Sequence, residues 1–160
     1  MLADPLACAD YFRGVRRRTI AAAQTLPPGA MDWAPRPGEF TAGDLLRHLA
    51  EAQRMYLRAY QGEGWHYAGH DRSLAPDKAA AVGLLEERQR EFDAALRATD
   101  PQHLNTSRGD LAGRPLSGWR ILMMLVEHEV HHRSQLTGYL TALGVQPPHI
   151  FGVGVEELPS

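Results

Sequence analysis

The sequence predicts an all-α fold, a single four-helix bundle. Three observations carry that prediction. Four segments have helix-start and helix-stop chemistry, no segment shows a convincing strand alternation, and one apolar stripe per helix calls for one shared core. The loops between these segments run to about 14–16 residues, against 2–8 in simple up-down bundles, so at least one connection must cross over. A chain of 160 residues suits one domain over residues 1–160, with a C-terminal tail from about residue 145 packed on it.

The first helix begins where Asp4 can cap it and Pro5 can take its first position. Leu6, Phe12, Val15 and Ile20 supply a loose apolar side, and Pro27-Pro28-Gly29 end it. The run Arg16-Arg17-Arg18 within it reads as a solvated face. A second helix starts at Thr41, which stands three residues before Asp44 as in a capping box. Leu45, Leu49, Ala52, Tyr56, Ala59 and Tyr60 form its buried stripe, and Arg47, Glu51, Arg54 and Arg58 its wet face. Three glycines and a proline break the pattern between Gln61 and Pro76.

A third helix is predicted from Asp77 to Thr99, in a stretch rich in good helix formers. The polar segment from Asp100 to Arg114 has room for a short hairpin, a point left open at this level. The fourth helix is predicted from Pro115 to Leu143, with Gly144 as its stop and Pro147-Pro148 beyond.

Bulk properties exclude several classes. The net charge of −2 offers no field to attract nucleic acid or an anionic membrane, and no stretch approaches the ~18 apolar residues of a membrane span. The start of the chain lacks the basic and apolar regions of a signal peptide. The lone cysteine, Cys8, forbids an internal disulfide framework and reads as a packing residue. A cytoplasmic location is expected.

Of eight histidines, His66, His70, His103 and His149 fall in loops, where solvation or local hydrogen bonding is the default. The other four are sorted by helix phase at about 100° per residue. On the fourth helix, Ile121, Leu122, Leu125, Leu136, Tyr139 and Leu140 define the core direction. His132 falls inside that stripe and His128 at its edge, about 40° away, while His131 points off the core. On the second helix His48 flanks the stripe of Leu49 and Tyr56. Facing helices thus offer one histidine and an i, i+4 pair, the way metal sites are built inside bundles. Neutral imidazoles suit Zn, Ni, Cu or Fe, and three protein ligands leave a position open for water or substrate.

The segment His128-Glu129-Val130-His131-His132 also matches the zinc-protease pattern H-E-x-x-H. Its extended form would need a glycine and a further histidine where this chain has Gln135 and Gly138. A downstream carboxylate would have to be Glu156 or Glu157, in the tail, and no sheet accompanies the helix. Glu129 lies on the core side, where an unpaired carboxylate is costly. It is the candidate catalytic residue, and three roles stay open for it: orienting a histidine, holding a polar substrate group, or pairing with an arginine.

These blocks resemble the DinB/YfiT family of small bacterial metal-binding bundles. The resemblance rests on Gly38-Glu39-Phe40-Thr41 leading to Gly43-Asp44-Leu45-Leu46-Arg47-His48. It continues in the stretch His128 to Leu136 and in Gly144 to Gly152. Ser134 stands where glycine is common, and His149 and Phe151 where an acidic residue and Tyr are frequent. The resemblance implies an up-down-down-up bundle, often a homodimer, with Zn or Ni on His48, His128 and His132. It further implies a small-molecule substrate and chemistry in which the metal activates a low-molecular-weight thiol for S-transfer, with hydrolysis second. A non-catalytic metal-binding or stress-response protein, or a dimeric bundle with empty histidines, is the alternative.

Overall fold

The computed structural model describes residues 4–112, 114–154 and 157. Among them four long helices appear: α1 (Pro5–Gln24), α2 (Ala42–Gln61), α3 (Lys78–Arg97) and α4 (Gly118–Ala142). The caps act as expected. Asp4 accepts from the Leu6 amide, with Pro5 inside the first turn, and Thr41 and Asp44 form a reciprocal capping box. Asp77 caps α3 through the Ala80 amide. At the end of α4, Gly144 takes a φ of 73°, and the Val145 amide returns to the Leu140 carbonyl, a closure suited to glycine.

The helices pack in the ring α1–α3–α2–α4, and contacts at their ends set the directions. Lys78, opening α3, donates to the Gln24 and Leu26 carbonyls at the end of α1, so these two are antiparallel. Arg47, early in α2, donates to the Ala75 carbonyl just before α3, so α2 and α3 are parallel. Tyr139, late in α4, donates to the Phe40 carbonyl just before α2. The order is up-down-down-up, and the parallel pair forces the connection 62–77 to climb back along the bundle.

The segment left open in the sequence is a hairpin, β1 (Ser107–Leu111) with β2 (Arg114–Ser117), antiparallel and irregular between Ser107 and Gly109. Pro115 therefore pairs in a strand instead of opening a helix, and α4 starts at Gly118. Steric room explains that boundary: a Cβ on Gly118 would overlap the His103 carbonyl and the Tyr60 ring.

The apolar core is split in two. One cluster gathers Leu26, Leu45, Leu46, Leu49, Leu85, Leu136 and Leu140; the other gathers Phe12, Val15, Tyr60, Phe92, Leu96, Ile121 and Leu125, with Cys8 packed among them. Between them every helix contributes polar side chains. Arg16 is 1% exposed and Glu129 0%, with Arg16 Nη2 3.2 Å from Glu129 Oε2. Arg16 also donates to Gln53 Oε1 at 2.8 Å. Gln53 donates to Gln89, Gln89 to Asp93, and Asp93 accepts from Arg13.

Two sequence expectations are thereby corrected. Arg16 is not on a solvated face, because α4 presents a carboxylate to it. Arg47 and Glu51 are likewise buried, at 3% and 2% exposure, because the climbing connection and α3 cover that side of α2. Arg47 is spent on the His70 and Ala75 carbonyls and on Asp44, and Glu51 on Arg88. Arg54 and Arg58 do face solvent.

Removing one member of a buried ion pair leaves the other charge uncompensated, at about 3–5 kcal/mol. Arg16→Met is therefore expected to lower the unfolding free energy by about that amount in urea denaturation. Adding Glu129→Gln to Arg16→Met should recover part of it, and a double variant no more stable than the single one would contradict the pairing.

Candidate metal centre

The three histidines chosen by helix phase meet at the level of the polar layer. His128 and His132 lie one turn apart on α4, and His48 faces them from α2. His48 Nε2 is 3.0 Å from His128 Nε2 and 3.2 Å from His132 Nε2. All three are half-buried, and their ligand atoms lie within 4.8 Å of one another. His131 is exposed, as its phase required.

The outer nitrogens decide what the inner ones offer. His132 Nδ1 is 3.0 Å from Gln135 Oε1, Gln135 Nε2 donates to Tyr139 Oη at 2.9 Å, and Tyr139 donates to the Phe40 carbonyl at 3.0 Å. A backbone carbonyl can only accept, so this relay has one direction: His132 carries its proton on Nδ1 and presents a bare Nε2. His48 Nδ1 is 2.8 Å from the Tyr67 hydroxyl, which is 3.0 Å from His70 Nδ1. The Phe40 ring packs on both His48 and His70, with centroids 5.4 and 4.5 Å away. Beside His128 stands Tyr56, and Trp65 stands edge-on to Tyr56, giving the site an apolar wall.

Burial keeps these rings neutral. It pulls His48 down to about 4, helped by His132 and His70, and His128 down to about 3, helped by His132, His48, His131 and Arg16. His132 is lowered by burial too, against the pull of Gln135. Tyr67 is pushed up to about 12 by burial and by the Glu51 and Asp44 carboxylates, so its phenol stays protonated.

This donor set fits a transition-metal ion. Lone pairs aimed at one another across 3 Å repel unless a proton or a metal ion lies among them. Nitrogens each about 2.0–2.1 Å from one ion stand roughly 3–3.4 Å apart, which matches the two short separations. Glu129, by contrast, faces Arg16 in the interior. Of the two tail carboxylates weighed for a protease, Glu156 lies outside the described residues, and Glu157 accepts from the Gly154 amide.

The model of the DinB superfamily matches residues 11–136, a span that holds all three histidines. The chain belongs to the DinB superfamily. Solved structures agree in fold. A DinB-like protein from Bacillus cereus superposes with a TM-score of 0.79 at 21% identity, over 93% of this chain and 99% of that one. The DinB-like YjoA of Bacillus subtilis gives 0.71 at 19%, over 96% of each chain. YfiT of Bacillus subtilis, described as a probable metal-dependent hydrolase with an unusual four-helix-bundle topology, gives 0.70 at 17%, over 88% and 87%. In sequence, the chain is 32% identical to Bacillus subtilis YrdA over 66 residues, a match spanning 41% of this chain and only 40% of that relative.

Sequence reasoning missed the outer partners. Gln135 and Tyr139 follow His132 at helical spacing, a usable signal. Tyr67 and His70 sit in an aperiodic loop with none. His70 is locally hydrogen-bonded, as loop histidines commonly are, but its partner ties it to His48.

The lowered histidines give a pH signature in metal-free protein. The unfolded chain takes up protons below its ordinary value of 6.5, whereas folded His48 and His128 wait until about 4 and about 3. Stability is then fully present above about pH 6.5 and falls on acidification through that window. In chelator-treated protein the urea midpoint should drop between pH 7 and 4.5, less steeply in His128→Gln. A midpoint with the same pH slope in both proteins would contradict the assignment.

Proposed function

We propose that the chain is a divalent-metal-dependent enzyme whose ion is held by His48, His128 and His132. The single observation behind this reading is the convergence of three Nε2 atoms whose neutral rings are turned by hydrogen bonds or packing to face one another. Zn or Ni suits three imidazoles with no carboxylate or thiolate among them. A divalent ion with an open position lowers the pKa of a bound thiol or water and supplies a nucleophile near neutral pH.

The reaction proposed first is transfer of a low-molecular-weight thiol to a small electrophile, in line with the resemblance to thiol-dependent members of the family. Hydrolysis is the second reading, favoured by the description of YfiT. In both, this chain's residues do the same work. His132 is kept in the ligating tautomer by Gln135, Tyr56 and Trp65 shape an apolar wall for the substrate's carbon skeleton, and Glu129 holds α4 in place through Arg16.

Two measurements test the proposal in sequence. Protein purified without a histidine tag or chelator should contain close to one equivalent of metal; less than a tenth of an equivalent would sink the site. Turnover of model electrophiles should then fall at least about a hundredfold in His132→Ala, the loss of a metal ligand being loss of the nucleophile. Dependence of the rate on added thiol separates transfer from hydrolysis. Turnover unchanged by that substitution would favour a non-catalytic metal-binding protein.

A further inference from the structure

The connection between α2 and α3 leaves the end of one parallel helix and must reach the start of the other. On its way it brings Tyr67 and His70 beside His48 of the three-histidine cluster. It is not loosely draped. Arg47, itself 3% exposed, donates Nε to the His70 carbonyl at 2.9 Å and Nη1 to the Ala75 carbonyl at 2.9 Å. Its third nitrogen is fixed by Asp44 at 2.7 Å, and Asp44 also belongs to the capping box of α2. The His70 ring is held against Phe40. Between these anchors and Trp65, which packs on Tyr56, stands Tyr67.

Of the two orders in which the Tyr67 proton lies within this chain, one is compatible with His48 as a ligand. If His70 donated from Nδ1 to the Tyr67 oxygen, the phenol would donate to His48 Nδ1, and the proton of His48 would sit on Nε2, facing the other two histidines. In the reverse order His48 donates from Nδ1, Tyr67 accepts and donates onward to His70 Nδ1, and His48 Nε2 is bare. The second order is the one that a cation among the three Nε2 atoms selects.

We propose that Tyr67, carried on the Arg47-anchored connection, is a positioning residue of the metal centre, accepting the His48 Nδ1 proton and handing the chain on to His70. This rests on the metal-binding reading above and adds a residue to it. Outer partners of this kind fix the tautomer and ring orientation of a ligand, and their loss weakens metal binding by about ten- to hundredfold. The pairing also gives α2's histidine an outer partner matching the one Gln135 provides for His132 on α4. Tyr67 is 39% exposed, so removing its hydroxyl leaves the core packing intact.

The experiment compares wild type with Tyr67→Phe. Zinc affinity is measured by competition with a chromophoric chelator, and cobalt(II) absorption reports the geometry of the centre. Proton–nitrogen spectra of the zinc-loaded proteins report whether the His48 Nδ1 proton is held in a hydrogen bond. The expected result is a slowly exchanging Nδ1–H at His48 in zinc-loaded wild type that exchanges rapidly in the variant. Zinc binding should weaken by about ten- to hundredfold, the cobalt band should change, and the thermal midpoint of the metal-free protein should stay the same.

Zinc affinity within twofold of wild type, or a His48 Nδ1–H signal of the zinc-loaded protein unchanged in the variant, overturns the assignment to Tyr67 while leaving the three-histidine site standing. A lower midpoint of the metal-free variant with an unchanged cobalt spectrum also overturns it, since the role would then be structural. Wild type that binds neither zinc nor cobalt overturns the metal reading itself and the role of Tyr67 with it.

Discussion

A charged pair in the middle of the bundle sets the terms for everything around it. Arg16 and Glu129 are both sealed from water, and burying two charges costs several kcal/mol per ion unless they find each other and further partners. That requirement is geometric. α1 and α4 can slide past one another only by separating the pair. Gln53 and Gln89 extend the same demand to α2 and α3. Apolar stripes alone tolerate slippage, since one leucine packs much like the next. A polar layer does not, and it acts here as a register mark shared by four helices. The histidines stand at that level. His128 precedes Glu129 in the chain, so whatever locks Glu129 also locks the height of the α4 histidines against His48.

The topology supplies the second constraint. Two parallel neighbours cannot be joined by a short turn, and the connection that joins α2 to α3 must traverse the bundle. Such a segment would ordinarily be a liability, with backbone groups to satisfy and entropy to lose. Arg47 removes much of that cost by binding two of its carbonyls from a buried position on α2. The outcome is a loop with fixed side chains, and it runs where a centre built only from helices would be open to solvent. Trp65, Tyr67 and His70 give that side aromatic surface and hydrogen-bonding capacity.

Much of this was legible in the sequence, for identifiable reasons. The three clustered histidines followed from angular position on two helices, because a 3.6-residue repeat fixes which side chains share a face. The caps at Asp4 and Thr41 followed from local chemistry that needs no knowledge of the rest of the fold. What could not be read depends on contacts between distant segments. Arg16, Arg47 and Glu51 look like surface charges, and only the arrival of Glu129, the crossover and Arg88 makes them interior. Pro115 is a good first residue for a helix in isolation. It becomes a strand residue because the hairpin pairs with it and Gly118 alone fits beneath His103. Tyr67 and His70 carry no periodicity, so nothing in their spacing points to His48.

Phe40 lies outside every helix, yet it touches both branches of contacts around the site, one by a hydrogen bond and one by packing. Its carbonyl terminates the chain from His132 through Gln135 and Tyr139, and its ring seats His48 and His70. A single residue, one step ahead of the cap of α2, thus serves as a common hinge pin for histidines on two different helices. Any event that shifts the approach to α2, whether a substitution among the prolines before it or a molecule resting on Trp33, would reach both branches together. His48 and His132 would then loosen or tighten together, although they stand on different helices.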